Sequence, residues 1–277
     1  MWSAKAGSAT SRDVCKWDQI VWPSAYCRVR RLQTRIVKAT RDQNWRRVKS
    51  LQRFLVNSFS ARALAVKRVS ENDGKRTPGV DGEVWSTPGA KWQAIQRLSS
   101  RGLRPQPLRR VYIPKRGGNT KMRPLGIPTM IDRAEQALHL QGLEPVAETR
   151  ADPHSYGFRR SRGTRDAIGQ VFHLLARKVS APWILEGDIL GCFENFEHGW
   201  LESHIPMNRK VLSGWLKAGY VESGKLFPTE GQSARRNRLA NDSEHRTGWT
   251  RGCSGEAIRP HKKSHYTIPS ACSGIRR

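Results

Sequence analysis

The stretch LEGDILGCFENFEH, Leu185 to His198, constrains the fold more than any other part of this chain. A short apolar run, Trp183, Ile184 and Leu185, leads into Asp188, with Gly191 and then the aromatic Phe193 just beyond. This is the pattern of a buried strand that carries a carboxylate to its end and then turns. A carboxylate so placed suits a hard divalent cation such as Mg²⁺, which takes oxygen ligands. Taken alone, one aspartate after an apolar run also fits a helix cap or a surface position.

Charge narrows the partner. Fifty Lys plus Arg against 23 Asp plus Glu give a formal net charge of +27 and a pI near 11.0. Such an excess works against a compact monomer unless a polyanion offsets it. Nucleic acid is the default, because each phosphate neutralised by Lys or Arg releases counterions. The 277 residues allow one large domain or two small ones. The five cysteines form no CxxC pair, and no Cys/His set has zinc-finger spacing. Their odd number argues against a disulfide framework and for a reducing, cytoplasmic compartment. No stretch approaches the roughly 18 apolar residues of a membrane span. The N-terminus lacks a signal peptide's apolar core, so no membrane partner is expected.

Residues 1–16 are small and polar and read as disordered. From Trp17 to about Val69 the chain reads helical. Val29, Leu32, Ile36 and Ala39 repeat at spacings of three and four. Trp45, Val48, Leu51, Leu55 and Phe59 do the same after a break near Asp42. The polar faces carry Arg28, Arg30, Arg31, Arg35, Lys38, Arg46, Arg47, Lys49 and Arg53. A one-sided charge run in an already basic chain favours an RNA-facing surface over a plain solvated one. GKRTPGVDG, Gly74 to Gly82, is a turn-rich connector. RRVYIPK, Arg109 to Lys115, alternates like a strand, and Gly117-Gly118 reads as a hairpin turn. In KMRPLGIPTMIDRAEQ, Pro124 and Pro128 make the first half extended, and Asp132 suits the cap of a helix starting just after it. SYGFRRSRGTRDA, Ser155 to Ala167, is a loop opening into a helix of about 12 residues. Ser213 to Gly231 reads as a helix, a turn and an extended segment.

In their order these segments resemble the reverse transcriptases encoded by group II introns. Trp17, Trp22, the Leu32-Gln33 and Leu51-Gln52 pairs, TPGVDG and Trp85 resemble that family's N-terminal extension. RRVYIPK, KMRPLGIPT, SYGFRR and the Asp188 stretch resemble its fingers and palm. The resemblance implies an α/β (α+β) chain: an N-terminal helical RNA-binding region, then fingers and partial palm of a right-hand polymerase fold. It implies an RNA-directed DNA polymerase and maturase, a nucleotidyltransferase of a mobile element. Its partners would be group II intron RNA and an RNA template with a DNA primer. Polymerases of this kind clamp the attacking and leaving oxygens between two divalent ions. Asp188 would be the first catalytic aspartate and Mg²⁺ ligand, helped by the Ile189 carbonyl. Phe193 would be the steric gate against a ribose 2′-hydroxyl. Lys115 and Arg123 would bind the nucleotide triphosphate, which needs cations for its leaving pyrophosphate. Arg159 and Arg162, in the segment that contacts template, join Arg31, Arg35, Arg46 and Arg47 as RNA-binding candidates. Leu190, Glu194 and Glu197 depart from the family, which has a polar or basic residue and aspartates there.

The resemblance stops after Glu230. The family continues with GxPQGG and a YADD strand that brings the remaining catalytic aspartates, and this chain shows neither. Residues 232–277 instead carry ten Lys plus Arg against three Asp plus Glu and read as a disordered basic tail. With permitted codons for Gly231 to Gly252, reading one base later gives GSPQGGIASPTTLNTGLDGLE, which contains the missing motif. The tail therefore reads as out-of-frame translation. The organisation expected is 1–16 disordered, 17–90 RNA-binding extension, 91–231 fingers and partial palm, and 232–277 out-of-frame tail. The chain reads as a truncated reverse transcriptase and maturase whose own polymerase activity is lost. The alternative is a non-enzymatic RNA-binding remnant. A third reading, an unrelated basic protein of ribosomal type, does not account for the ordered motifs.

Overall fold

The computed structural model describes residues 16–98, 104–114, 122–180, 182–187 and 196–229. These fall into two compact units. One holds the described residues up to Ala151 and those from 196 to 229, and the other those from Asp152 to 187.

The described residues of the first unit open in helix over residues 16–18, so the last residue of the segment expected to be disordered is helical. Helix α1 spans Trp22–Arg41 with Pro23 in its first turn, where no backbone donor is needed. Its apolar stripe, Val29, Leu32, Ile36 and Ala39, is buried as the spacing predicts. The chain reverses through Gln43, whose φ is 53°. The Asn44 side chain then accepts the Arg47 N–H at 3.0 Å and opens helix α2, Trp45–Asn57. Val48, Leu51 and Leu55 are buried. Phe59 does not continue that stripe. Ser58 turns extended, its hydroxyl accepts the Ala61 N–H at 3.2 Å, and a new helix α3, Phe59–Glu71, begins. Phe59 is left 40% exposed at its start. A 3₁₀ turn over Asp73–Arg76 and a loop lead to helix α4, Pro88–Arg97.

Strand β1 (Leu108–Pro114) pairs antiparallel with β2 (Met122–Ile127). Helix α5, Met130–Arg150, follows and packs across α1, α2 and α3. Ile36, Leu55, Ile95, Met130 and Leu138 are the large side chains most fully enclosed in this core. Truncating one of them to alanine typically costs about 2–5 kcal/mol. Asp132 does not cap α5 as expected. Thr129 does, accepting the Asp132 N–H at 3.2 Å, and the helix begins before Asp132 at Met130. The Asp132 carboxylate instead accepts the Thr129 hydroxyl at 2.6 Å and the Gln106 N–H at 3.1 Å, which ties the approach to β1 down onto α5.

In the second unit, a loop leads into helix α6, Thr164–Leu175, the length the sequence predicts. The Asp166 carboxylate accepts the Gly163 N–H at 2.7 Å at its start. The buried strand expected before Asp188 is not formed over residues 182–187. These residues are irregular, and Leu185 is 85% exposed. The reason is physical: a strand draws its stability from a neighbour, and among the described residues none pairs with this segment.

The chain then returns to the first unit with helix α7, His198–His204, and helix α8, Arg209–Leu216. Strand β3 (Tyr220–Glu222) runs parallel to β1, and β4 (Lys225–Phe227) closes a hairpin on it. The sheet order is β2-β1-β3-β4. Residues 1–15 and 230–277 lie outside the described residues. The fold is α+β.

Candidate nucleic-acid interface

The α1–α2 hairpin sorts its residues by face. The apolar stripes go to the core, and Arg28, Arg30, Arg31, Arg35, Lys38, Arg46, Arg47, Lys49 and Arg53 lie on the opposite, solvent-facing side. Arg31 and Arg35 stand one helical turn apart. The tight turn at residues 42–44 brings Arg41, at the end of α1, to the same end of the hairpin as Arg46 and Arg47. Arg150, at the end of α5, places its guanidinium 5.2 Å from the centre of the Trp45 ring. No ion pair neutralises Arg31, Arg35, Arg46 or Arg47 among the described residues, and neither helix has an acid in its first turn. Arg46 and Arg47 sit in the first turn of α2, where the helix dipole disfavours cations by roughly 0.3–1 kcal/mol each. Bound phosphate reverses the sign of that interaction.

The β1–β2 hairpin carries the second group of cations. Ladder partners share a face, so Arg123, opposite Ile113, lies on the same face as Arg109. Arg123 is exposed. Lys115, its expected partner, lies outside the described residues. Arg110 and Tyr112 occupy the opposite face. The Arg110 guanidinium sits 3.4 Å from the centre of the Tyr220 ring. Glu222 of β3, close to Tyr112, raises the phenol's pKa. These contacts bind β1 to β3, so Arg110 serves the fold while Arg123 faces solvent.

The turn-rich connector is fixed by Arg133, a residue that no local motif singles out. From the first turn of α5 it donates through Nε to the Pro128 carbonyl at 2.9 Å and through Nη1 to the Gly74 carbonyl at 2.9 Å. Its Nη2 donates to the Thr77 carbonyl. Gly79 lies so close to α5 that a Cβ there would stand 2.6 Å from the Thr129 Cα. Val80 and Asp81 remain exposed beyond this anchor. The only local signal for the clamp is the cation after Asp132, since the Gly74 and Thr77 acceptors lie more than 50 residues earlier in sequence.

In the second unit, Arg159 and Arg162 hold their own loop. Arg159 Nη1 donates to the carbonyls of Asp152 at 2.6 Å and Ser155 at 3.0 Å. Arg162 Nη1 donates to the Pro153 carbonyl at 2.7 Å, and its guanidinium lies 5.8 Å from the Tyr156 ring centre.

Asp188, Ile189 and Phe193 lie outside the described residues. Among the described residues, no group of three or more His, Cys, Asp or Glu side chains is arranged to hold a metal ion. Nor, among them, is any helix long and apolar enough to cross a membrane.

Comparison with known proteins adds the decisive observation. A family described as the N-terminal domain of reverse transcriptase matches residues 17–98. The family described as reverse transcriptase (RNA-dependent DNA polymerase) matches residues 113–251, half of the chain. The chain belongs to the reverse transcriptase family. Its likeness is to the group II intron type. The group II intron-encoded protein LtrA of Lactococcus lactis subsp. cremoris is 34% identical over 175 residues, covering 60% of this chain and 28% of that protein. Protein YkfC of Escherichia coli (strain K12) is also 34% identical over 175 residues, covering 58% of this chain and 45% of its own length. A putative COX1/OXI3 intron 1 protein of Saccharomyces cerevisiae is 28% identical over 172 residues, covering 57% and 19%. The chain thus spans less than half the length of each of these relatives. Reverse transcriptases use a divalent metal ion, and the first match places the α1–α2 hairpin in the family's N-terminal domain.

Proposed function

We propose that this chain is the RNA-gripping and fingers portion of a group II intron reverse transcriptase and maturase. The α1–α2 hairpin binds group II intron RNA and the RNA template with its DNA primer, and so assists splicing. Arg123 with Lys115 meets the nucleotide triphosphate, and Arg159 and Arg162 approach the template. Asp188 with the Ile189 carbonyl holds Mg²⁺, and Phe193 excludes the 2′-hydroxyl. The observation that carries the RNA-binding part is the row of solvent-facing cations, without carboxylate partners for Arg31, Arg35, Arg46 and Arg47 among the described residues, on a hairpin whose apolar face is buried. Filter binding to a group II intron RNA between low and moderate salt tests it. Affinity falls steeply with salt, and replacing Arg31, Arg35, Arg46 and Arg47 with alanine lowers the log–log slope by roughly 0.7–0.9 for each phosphate no longer neutralised. A slope near zero in the unmodified chain refutes the reading.

A second reading is an RNA-binding protein without catalysis. The lack of GxPQGG after Glu230, within the residues that the reverse transcriptase family matches, favours it. Primer extension on an RNA template with Mg²⁺ separates the two. The chain alone gives no extension under the second reading. Incorporation that disappears in Asp188→Ala refutes it.

A further inference from the structure

The solvent face of α2 is built around a small residue. Ser50 has Arg46 and Arg47 one turn before it and Arg53 and Phe54 one turn after it. Helix residues three and four apart are neighbours, with Cβ atoms about 5–6 Å apart, so these four longer side chains ring the short one. All five residues are exposed, while Val48, Leu51 and Leu55 hold the other side of the helix in the core. Among the described residues, no carboxylate pairs with Arg46, Arg47 or Arg53. Thr34 and Thr40 of α1 turn their hydroxyls back onto carbonyls four residues earlier, at 3.0 and 2.8 Å. The Ser50 hydroxyl makes no such bond among the described residues and stays open to solvent. Phe54 is 65% exposed. Other rings of this unit carry a cation: Lys67 lies over Trp22, Arg150 over Trp45 and Arg110 over Tyr220. Among the described residues, none covers the ring of Phe54.

The arrangement selects among ligands. A phosphate over Ser50 meets guanidinium groups from two sides and a hydroxyl donor beneath. A phosphate alone leaves the Phe54 ring idle. An apolar partner would strip water from three guanidinium groups without pairing them. One ring among cations is also no contiguous apolar patch of the kind that docks a protein. An uninterrupted duplex offers phosphates, but its base faces are stacked on one another and closed to the ring. An unpaired nucleotide offers both a phosphate and a free base face.

We infer that Phe54 stacks on an unpaired base of the bound RNA while a phosphate beside that base sits over Ser50, between Arg46, Arg47 and Arg53. The inference rests on the RNA-binding reading above and names the RNA that this face takes: a bulge, a loop or a single strand. The cations grip any phosphate chain. Phe54 adds the preference, because a base must leave the helical stack to meet it.

Fluorescence anisotropy on the full chain tests this with three RNA duplexes: fully paired, with one bulged adenosine, and with an abasic nucleotide in the bulge. The abasic bulge keeps the phosphate and removes only the base. The bulged adenosine binds about tenfold more tightly than the abasic bulge, as expected for one base–aromatic stack. Phe54→Leu keeps an apolar side chain and removes the ring, and with it the preference. Phe54→Tyr restores a ring and retains the preference. Ser50→Glu sets a carboxylate among the three guanidinium groups and lowers the log–log salt slope by roughly 0.7–0.9, the loss of one phosphate contact. Equal affinity of the unmodified chain for the adenosine and abasic bulges overturns the stack while leaving RNA binding intact, and this comparison needs no variant. A preference that survives Phe54→Leu overturns it as well, and an unchanged slope in Ser50→Glu overturns the phosphate position. Failure to bind any of the three RNAs at low salt overturns the RNA-binding reading itself.

Discussion

Gln33 donates its side-chain amide, at 2.9 Å, to the carbonyl of Gln141, the carbonyl that Pro145 leaves without a helical partner. In a regular helix the carbonyl of residue 141 accepts from the N–H of residue 145, and proline has none. The next carbonyl of α5 also receives a side-chain amide. Gln52 donates to the Gly142 carbonyl at 3.1 Å, and a Cβ at Gly142 would stand 3.3 Å from the Gln52 Cγ. Gln141 completes the set by donating to the Ala61 carbonyl at 2.9 Å. Amides from α1 and α2 thus lock onto α5 where that helix is interrupted, and α5 locks onto α3. This arrangement holds the basic hairpin in place.

Gln33→Ala is therefore expected to cost about 1–3 kcal/mol, the penalty for a partly buried carbonyl left unsatisfied. Pro145→Ala restores an N–H to α5. In that background the same Gln33→Ala change costs distinctly less. Urea unfolding of the four proteins of this cycle measures the coupling. Strictly additive losses would show that the Gln141 carbonyl does not depend on Gln33.

The pH dependence of stability has a named source. His139 packs edge-on against Trp215, ring centres 5.5 Å apart, and desolvation lowers its pKa to about 4. The unfolded chain takes up that proton near pH 6.5, so the contribution is full above this value and is lost as pH falls toward 4. Its upper bound is roughly 3 kcal/mol, since each tenfold difference in proton affinity between the folded and unfolded chain is worth about 1.36 kcal/mol. Two neighbours on α5 oppose it. Burial raises the pKa of Asp132 and of Glu135, whose carboxylate accepts the Trp215 indole N–H at 3.3 Å. Their contributions are greatest in acid and fall as pH rises through their raised values. The wild type is expected to lose stability between about pH 6.5 and 4. In His139→Gln that loss flattens or reverses, because the two carboxyls then act without the opposing histidine. Parallel stability-versus-pH curves for the two proteins would assign the acid limb elsewhere.

Gly79→Ala tests the anchoring of the exposed connector. The added Cβ would meet backbone on every near side: the Thr129 Cα at 2.6 Å, the Thr129 N at 2.7 Å and the Pro128 carbonyl carbon at 3.0 Å. Backbone cannot rotate aside, so the loop must leave its seat under Arg133. Overpacking of this kind costs typically about 1–3 kcal/mol. Tryptic cleavage at Lys75 and Arg76 should quicken, and Arg133→Leu should quicken it too by removing the fork. Unchanged cleavage in Gly79→Ala would mean that the loop reaches its position without the close approach to Thr129.

Local pattern is enough for the helices that build the hairpin and not for what joins them. Val29, Leu32, Ile36 and Ala39 announce a buried stripe because helical period is written into neighbouring residues. Gln33 and Gln52 stand out only through family resemblance. Their acceptors lie 108 and 90 residues away, and no periodicity encodes such a pairing. Asp132 suits a cap by residue type, yet Thr129, three positions earlier, competes for the same role and takes it. Phe59 fits the α2 stripe by spacing, but the Ser58 cap ends the helix before it. The apolar run before Asp188 has the residues of a strand, but strand formation depends on partners that single-segment patterns do not contain. Of the candidate site, the cations of α1 and α2 are legible because charge on one face needs no tertiary information.

The DNA of the locus decides the reading of the last part of the chain. The reverse transcriptase match runs on to residue 251, past Gly231, although residues 232–251 contain no GxPQGG. A frame change near Glu230 and a divergent in-frame segment therefore make different demands on the nucleotides. Under a frame change, the codons from about 231 onward, read one base later, encode GSPQGG followed by a segment with regular apolar spacing. Asn237, Asp242, Glu244, His245 and Trp249 have few codons, so chance agreement across them is restrictive. Restoring the shifted frame should then yield a longer protein that extends a DNA primer on RNA with Mg²⁺, with activity lost in Asp188→Ala. Sequencing that finds no such motif one base downstream would establish residues 232–277 as a genuine basic carboxy-terminal segment. In that case, deleting this segment becomes the direct measure of how much of the RNA grip lies there and how much in the α1–α2 hairpin.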